Sequence, residues 1–184
     1  DLARSRGLGD VYKRQFEPLH EEFGARVHGV DLSADVDDEA VMAQIHAAVD
    51  EYSLLVFPDQ PMTDEIQLAF TRTFGDPEPN HVKFGATGVI DYFGTIGNVI
   101  DERAKRGNDD PAVRYQSGNN MWHTDSSFRE VPAKFSINHA YEVPGEGGET
   151  EFVSTRAAYE RLDPERQAEI DPLLIMHDLS LIHI

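Results

Sequence analysis

Apolar side chains return at three- and four-residue steps along residues 37–52: Val41, Ile45, Ala48, Val49 and Tyr52 form one stripe, and Asp37, Asp38 and Glu39 precede it. A stripe of that period lies on one face of an α-helix, and acids at its start complement the partial positive charge of the free N–H groups. The spacing therefore predicts a helix over residues 37–52. Before it, Gly24–Leu32 (GARVHGVDL) reads as a short strand and turn around Val27 and Val30. After it, Ser53–Phe57 (SLLVF) is an apolar run that Pro58 stops, which predicts a buried strand. Thr63 then offers the hydroxyl of an N-cap. Asp64 and Glu65 fill the first turn, Ile66, Phe70 and Phe74 share a buried face, and Gly75 marks the end of a second helix.

The second half changes period. Val89–Phe93 and Thr95–Ile100 predict strands, and Asp101–Pro111 (DERAKRGNDDP) a charged, mobile loop. Phe135, Ile137, His139 and Tyr141 alternate with Ser136, Asn138 and Ala140, the two-residue period of a half-buried strand. Pro144–Gly148 reads as a turn and Thr150–Val153 as another strand. Ser154 can cap a helix through Leu162, and Asp163 with Pro164 at the first helical position opens one more. Several strands with few crossover helices predict a mostly β fold, an antiparallel core decorated by helices.

The two ends read as foreign. Ser5–Gln15 (SRGLGDVYKRQ) can be back-translated into a sequencing-library adapter ending in a transposon mosaic end, and Leu179–Ile184 (LSLIHI) into the reverse complement of that mosaic end. Residues 1–15 and 179–184 are accordingly expected to be adapter-like tails, and 16–178 a portion of one domain. The alternative is a basic N-terminal arm and a short apolar C-terminal strand.

The formal charge of −18 over 184 residues argues against phosphate backbones and anionic lipid as partners. The N-terminal tail carries Arg4, Arg6, Lys13 and Arg14 against Asp1 and Asp10, so the remainder is more acidic still. Cysteine is absent from the sequence, so a metal would have to be held by His and carboxylates. No apolar run approaches a membrane span.

Candidate chemistry centres on Trp122-His123-Thr124-Asp125-Ser126-Ser127-Phe128. On an extended segment, positions two apart face the same side, so His123 and Asp125 can meet one cation. With a distant His they would form the facial set of non-heme iron oxygenases. A His-X-Asp triplet by itself fits a surface or capping pair as well. The wider context is more specific. Asn119 to Phe128, Pro132-Ala133, Gly147-Gly148-Glu149-Thr150-Glu151-Phe152 and Arg156-Ala157-Ala158-Tyr159 resemble the taurine dioxygenase / 2,4-dichlorophenoxyacetate dioxygenase family. Gly24 to Leu32, Leu54 to Phe57 and Ala69 to Gly75 follow in that family's order.

The resemblance implies an incomplete double-stranded β-helix, a jelly roll of the clavaminate synthase-like kind, with iron(II) at the mouth of the barrel. It implies His123 and Asp125 as metal ligands and Thr150 as a hydrogen-bond donor to the distal carboxylate of 2-oxoglutarate, the cosubstrate used with O2. Asn119 falls where a relative contacts substrate or cosubstrate, or is a turn residue. Lys83 resembles a lysine that binds a substrate carboxylate, with an exposed solubilising lysine as the alternative, and His81 is a weaker candidate of the same kind. Trp122 reads as packing that holds His123, and His28, His46, His139 and His177 as structural. The implied reaction hydroxylates a small, carboxylate-bearing substrate with release of succinate and CO2, in a cytoplasmic enzyme that could be a homo-oligomer. The family's third ligand, a His, and its 2-oxoglutarate Arg match nothing here, since His183 falls in the tail and His177 in a segment well before the distal ligand. A fragment without them is expected to turn over little or nothing. The rival expectation is a non-catalytic acidic jelly-roll module that binds a ligand or calcium, for which Asp35–Glu39 is the carboxylate-rich candidate, without the regular spacing of a calcium loop.

Overall fold

A computed structural model describes residues 15–78, 96–97, 99–101 and 104–177 of the chain. The chain divides into two units, Asp1–Gly75 with His139–Asp171, and Asp76–Asn138 with Pro172–Ile184.

The first unit is built on strands β1 (Gln15–Pro18), β2 (Ala25–His28) and β3 (Leu55–Val56) in the order β1-β2-β3. The β1/β2 pair is antiparallel and β2/β3 parallel, with Ala25 opposite Leu55. Parallel pairing needs a crossover, and helices α1 (Leu32–Asp35) and α2 (Glu39–Tyr52) supply it. Helix α1 was not foreseen from the sequence. The Asp31 carboxylate accepts from Ser33 N and starts this one-turn helix where only a turn is predicted.

Helix α2 follows its predicted stripe closely. The Asp38 carboxylate accepts from Ala40 N and Val41 N, and Val41, Met42, Ile45 and Ala48 are buried. Burying Val41 and Ile45 completely contributes about 2 kcal/mol each. The helix ends at Ser53, whose φ of 64° is left-handed and whose N–H donates to Val49 O. The next strand corrects the expectation of a buried Ser53–Phe57. Only Leu55–Val56 pair, on one side, and Val56 is exposed. Helix α3 (Asp64–Arg72) starts on the Thr63 hydroxyl, as its cap residue predicts. Its Phe70 packs edge-on against Phe57 at 5.5 Å and Phe74 at 5.2 Å. Gln60 ties the intervening loop down: its amide nitrogen donates to Val30 O and Pro58 O, and its oxygen accepts from Leu32 N.

The later part of this unit departs further from the sequence reading. Residues 135–140, of which 139 and 140 belong to this unit, keep the predicted alternation of half-buried and exposed positions, but Tyr141, expected on the half-buried face, is exposed, and the segment pairs with no strand among the described residues. Thr150–Val153 is likewise unpaired, and these four side chains are exposed. Helices α5 (Thr155–Glu160) and α6 (Pro164–Ile170) start where predicted, because Ser154 Oγ accepts from Ala157 N and the Asp163 carboxylate from Arg166 N. Helix α5 stops at Glu160, short of Leu162.

In the second unit, β4 (Val99–Asp101), whose first two residues fall in the strand expected at 95–100, pairs antiparallel with β5 (Ala104–Lys105), which lies in the stretch expected to be a loop. Helix α4 (Pro111–Gln116) and a 3-10 turn at Ser117–Asn120 follow. Proline at the first helical position, where its missing N–H costs nothing, explains why a helix opens at Pro111. The strand expected at Val89–Phe93 lies outside the described residues.

Candidate metal centre

The 3-10 turn closes with Met121 N donating to Gly118 O, and the chain then runs through Trp122, His123 and Thr124 without regular secondary structure. The His123 ring turns back on its own segment, with Nδ1 2.7 Å from Met121 O. A carbonyl oxygen only accepts, so Nδ1 carries the hydrogen and Nε2 presents either a lone pair or a second proton. Nε2 lies 3.2 Å from Asp125 Oδ1. Two ligand atoms bound at about 2.1 Å and at right angles to each other are about 3 Å apart, so this pair has the bite of two adjacent positions on one metal ion. Both side chains are about half exposed, at 47% and 55%, which leaves room for further ligands. Nitrogen and oxygen donors of this kind suit iron(II). The residues present therefore fit two protein positions of an iron site. Among the described residues no third His, Asp or Glu joins them.

Past Asp125 the chain turns sharply. Ser126 has φ 58°, and Arg129 N donates to Ser126 O. Glu78 reaches this turn from the loop after α3. It accepts from Ser126 Oγ at 3.0 and 3.1 Å and pairs with Arg129 Nη2 at 2.6 Å. His177 Nδ1 lies 2.7 Å from Ser127 Oγ, which accounts for that imidazole without a metal. None of these contacts is visible in the sequence, because Glu78 and Ser126 are 48 positions apart and no local period links them.

Other candidates fare variously. Trp122 does not pack over His123 as expected, since its indole is 68% exposed. Thr150 is exposed, in the first unit, just after the turn at Gly147 and Gly148. Asn119 sits in the 3-10 turn two residues before Met121. Lys83 and His81 lie outside the described residues. His28 bonds to Glu17 across the β1/β2 pair at 2.8 Å, and His46 stacks on Phe74 at 4.5 Å. The carboxylates around Asp35–Glu39 cap backbone: Asp38 takes the first N–H groups of α2, and Asp35 accepts from Asp31 N.

An imidazole and a carboxylate 3.2 Å apart, on a chain without cysteine, are donors of the type that mononuclear non-heme metal sites use. The chain belongs to the Taurine catabolism dioxygenase TauD, TfdA family, whose model matches residues 15–181. It is 41% identical over 162 residues to the (S)-phenoxypropionate/alpha-ketoglutarate-dioxygenase of Sphingobium herbicidovorans, a match covering 88% of this chain and 52% of that one. The alpha-ketoglutarate-dependent 2,4-dichlorophenoxyacetate dioxygenase of Cupriavidus pinatubonensis is 34% identical over 169 residues, covering 87% and 56%. Among solved structures, that of AAD-2 in complex with Mn(II) and N-oxalylglycine superposes with a TM-score of 0.75 at 36% identity, over 86% of this chain and 53% of that one. The chain spans about half the length of the relatives it matches. Among the described residues no helix is long and apolar enough to cross a membrane.

Proposed function

We propose that this chain is the first part of an iron(II)- and 2-oxoglutarate-dependent dioxygenase that hydroxylates a small organic acid. One observation carries the reading: His123 Nε2 and Asp125 Oδ1 stand 3.2 Å apart, with the opposite ring nitrogen tied to Met121 O. Locking Nδ1–H onto a carbonyl frees Nε2 for a metal and fixes the ring plane, so little entropy is lost on binding. Family membership and the named activities of the relatives support the reaction type. The manganese and N-oxalylglycine in the AAD-2 structure support a divalent metal with an oxalyl-type ligand.

In this reading His123 and Asp125 hold two positions on the metal, and a distal His from the rest of the polypeptide holds the third. The metal with 2-oxoglutarate supplies the oxidising power, and succinate and CO2 are the coproducts. Thr150 donates its hydroxyl to the distal carboxylate of 2-oxoglutarate, beside an Arg that the remaining half supplies. Lys83 gives the substrate carboxylate a cation to pair with, and Asn119 and His81 orient the substrate. The strands are completed into a jelly roll by the same remaining half. Two relatives named for phenoxypropionate and dichlorophenoxyacetate favour an aryloxyalkanoate substrate.

The test uses the complete polypeptide, iron(II), 2-oxoglutarate, ascorbate and a panel of aryloxyalkanoates, alkylsulfonates and sulfate esters, with succinate measured against substrate. Asp125→Ala should bring substrate-dependent succinate to background. Turnover retained by that variant would remove Asp125 from the metal and the reading with it.

A further inference from the structure

Among the described residues, the anchor of the pair at 123 and 125 lies on the imidazole side. Met121 O fixes the imidazole, but the Asp125 carboxylate rides on a segment with no strand partner among the described residues. A turn follows it directly, closed by Arg129 N donating to Ser126 O. Ser126, the next residue, adopts a left-handed φ of 58° that an L side chain rarely takes unless its surroundings impose it. Those surroundings are Glu78, whose two oxygens both accept from Ser126 Oγ and one of which pairs with Arg129 at the far end of the same turn.

We propose that Glu78 is a positioning residue for the metal centre: by clamping Ser126 and Arg129 it holds the Ser126–Arg129 turn closed and sets the distance from Asp125 to His123. The inference rests on the reading of His123 and Asp125 as ligands. The ion pair is part-buried, with 29% of the Glu78 side chain and 19% of that of Arg129 exposed, so it is less screened than a surface pair and can hold a geometry. A carboxylate is the suitable clamp because it accepts from a hydroxyl and a guanidinium at once. Glutamine would keep an acceptor for Ser126 and lose the charge facing Arg129. Alanine would lose both.

Two measurements on the complete polypeptide test this without relying on turnover. Hydrogen exchange at the Arg129 amide, whose N–H donates to Ser126 O, reports turn closure in the metal-free protein. Cobalt(II) titration followed by its visible spectrum reports metal affinity. Glu78→Ala should speed exchange at Arg129 at least tenfold and weaken cobalt(II) binding by about 10- to 100-fold, the range for groups that orient ligands. Glu78→Gln, which keeps the side-chain shape and guards against a variant that merely misfolds, should fall between Glu78→Ala and the unaltered protein. Melting temperatures should stay within a few degrees for both. If His123→Ala abolishes cobalt(II) binding while Glu78→Ala and Glu78→Gln stay within twofold of the unaltered protein, the positioning role is wrong and the metal reading stands. If His123→Ala leaves cobalt(II) binding unchanged, the metal reading fails and this inference with it.

Discussion

At the scale of single residues, side chains whose polar ends are engaged decide where loops run. Gln60 spends its amide on three backbone groups, and so the α1 end and the Pro58 loop meet. Tyr141 does similar work nearer the C-terminus. Its ring is largely exposed, but its hydroxyl donates to Asp64, in the first turn of α3. Burial of the hydroxyl end, and then the Asp64 carboxylate beside it, push the Tyr141 pKa from the ordinary 10 up to about 12. A folded pKa above the unfolded one means that the contact stabilises fully below pH 10 and is lost as the pH rises through about 12. Phenolate absorbance, read as the difference between the protein and Tyr141→Phe, should therefore titrate with a midpoint near 12. A midpoint near 10 would show that the hydroxyl is free in solution.

Elements form where the local code and the tertiary partner agree, and the ends of α2 show both parts. Its start is a cap of the ordinary kind, but its end places Ser53 at φ 64°, where a Cβ costs about 1–2 kcal/mol relative to right-handed helix. Glycine meets no such cost but loses more chain entropy on folding, about 0.5–1 kcal/mol. Ser53→Gly should therefore stabilise the protein by about 0.5–1 kcal/mol, seen as a higher urea midpoint with an unchanged slope. A lower midpoint would mean that the serine side chain holds something the backbone angle does not reveal. The same contrast explains what could be read from sequence. Helices α2, α3, α5 and α6 were legible because period and cap lie within a few residues of one another. Strands were legible only as patterns. Residues 135–140 alternate as expected and Tyr141 does not, yet a pattern makes a strand only when a neighbour offers backbone to pair with. The short helices α1 and α4 were missed because a single turn has too few positions to show a period. At the metal centre, the triplet His123-Thr124-Asp125 was visible and the Glu78 clamp was not, since contacts between distant positions leave no mark on spacing.

At the scale of the whole molecule, the distribution of apolar surface is the informative feature. Scattered exposed hydrophobes are normal, but here some come in runs: Leu173, Leu174, Ile175 and Met176 in sequence, Phe152 with Val153, and Tyr141 with Val143. Leu174 is 99% exposed. Contiguous exposed apolar side chains are the kind of surface that further polypeptide covers, which agrees with the proposal that the rest of a longer polypeptide completes the barrel. The consequence can be measured without knowing any substrate. The 184-residue chain alone should bind a dye that fluoresces on apolar surface and should self-associate as its concentration rises, despite a charge of −18 that opposes association. The complete polypeptide should bind several times less dye per mole and keep one sedimentation coefficient over the same range. Equal dye binding by the two would mean that these runs stay exposed in the whole protein, and the proposal that further polypeptide covers them would be wrong.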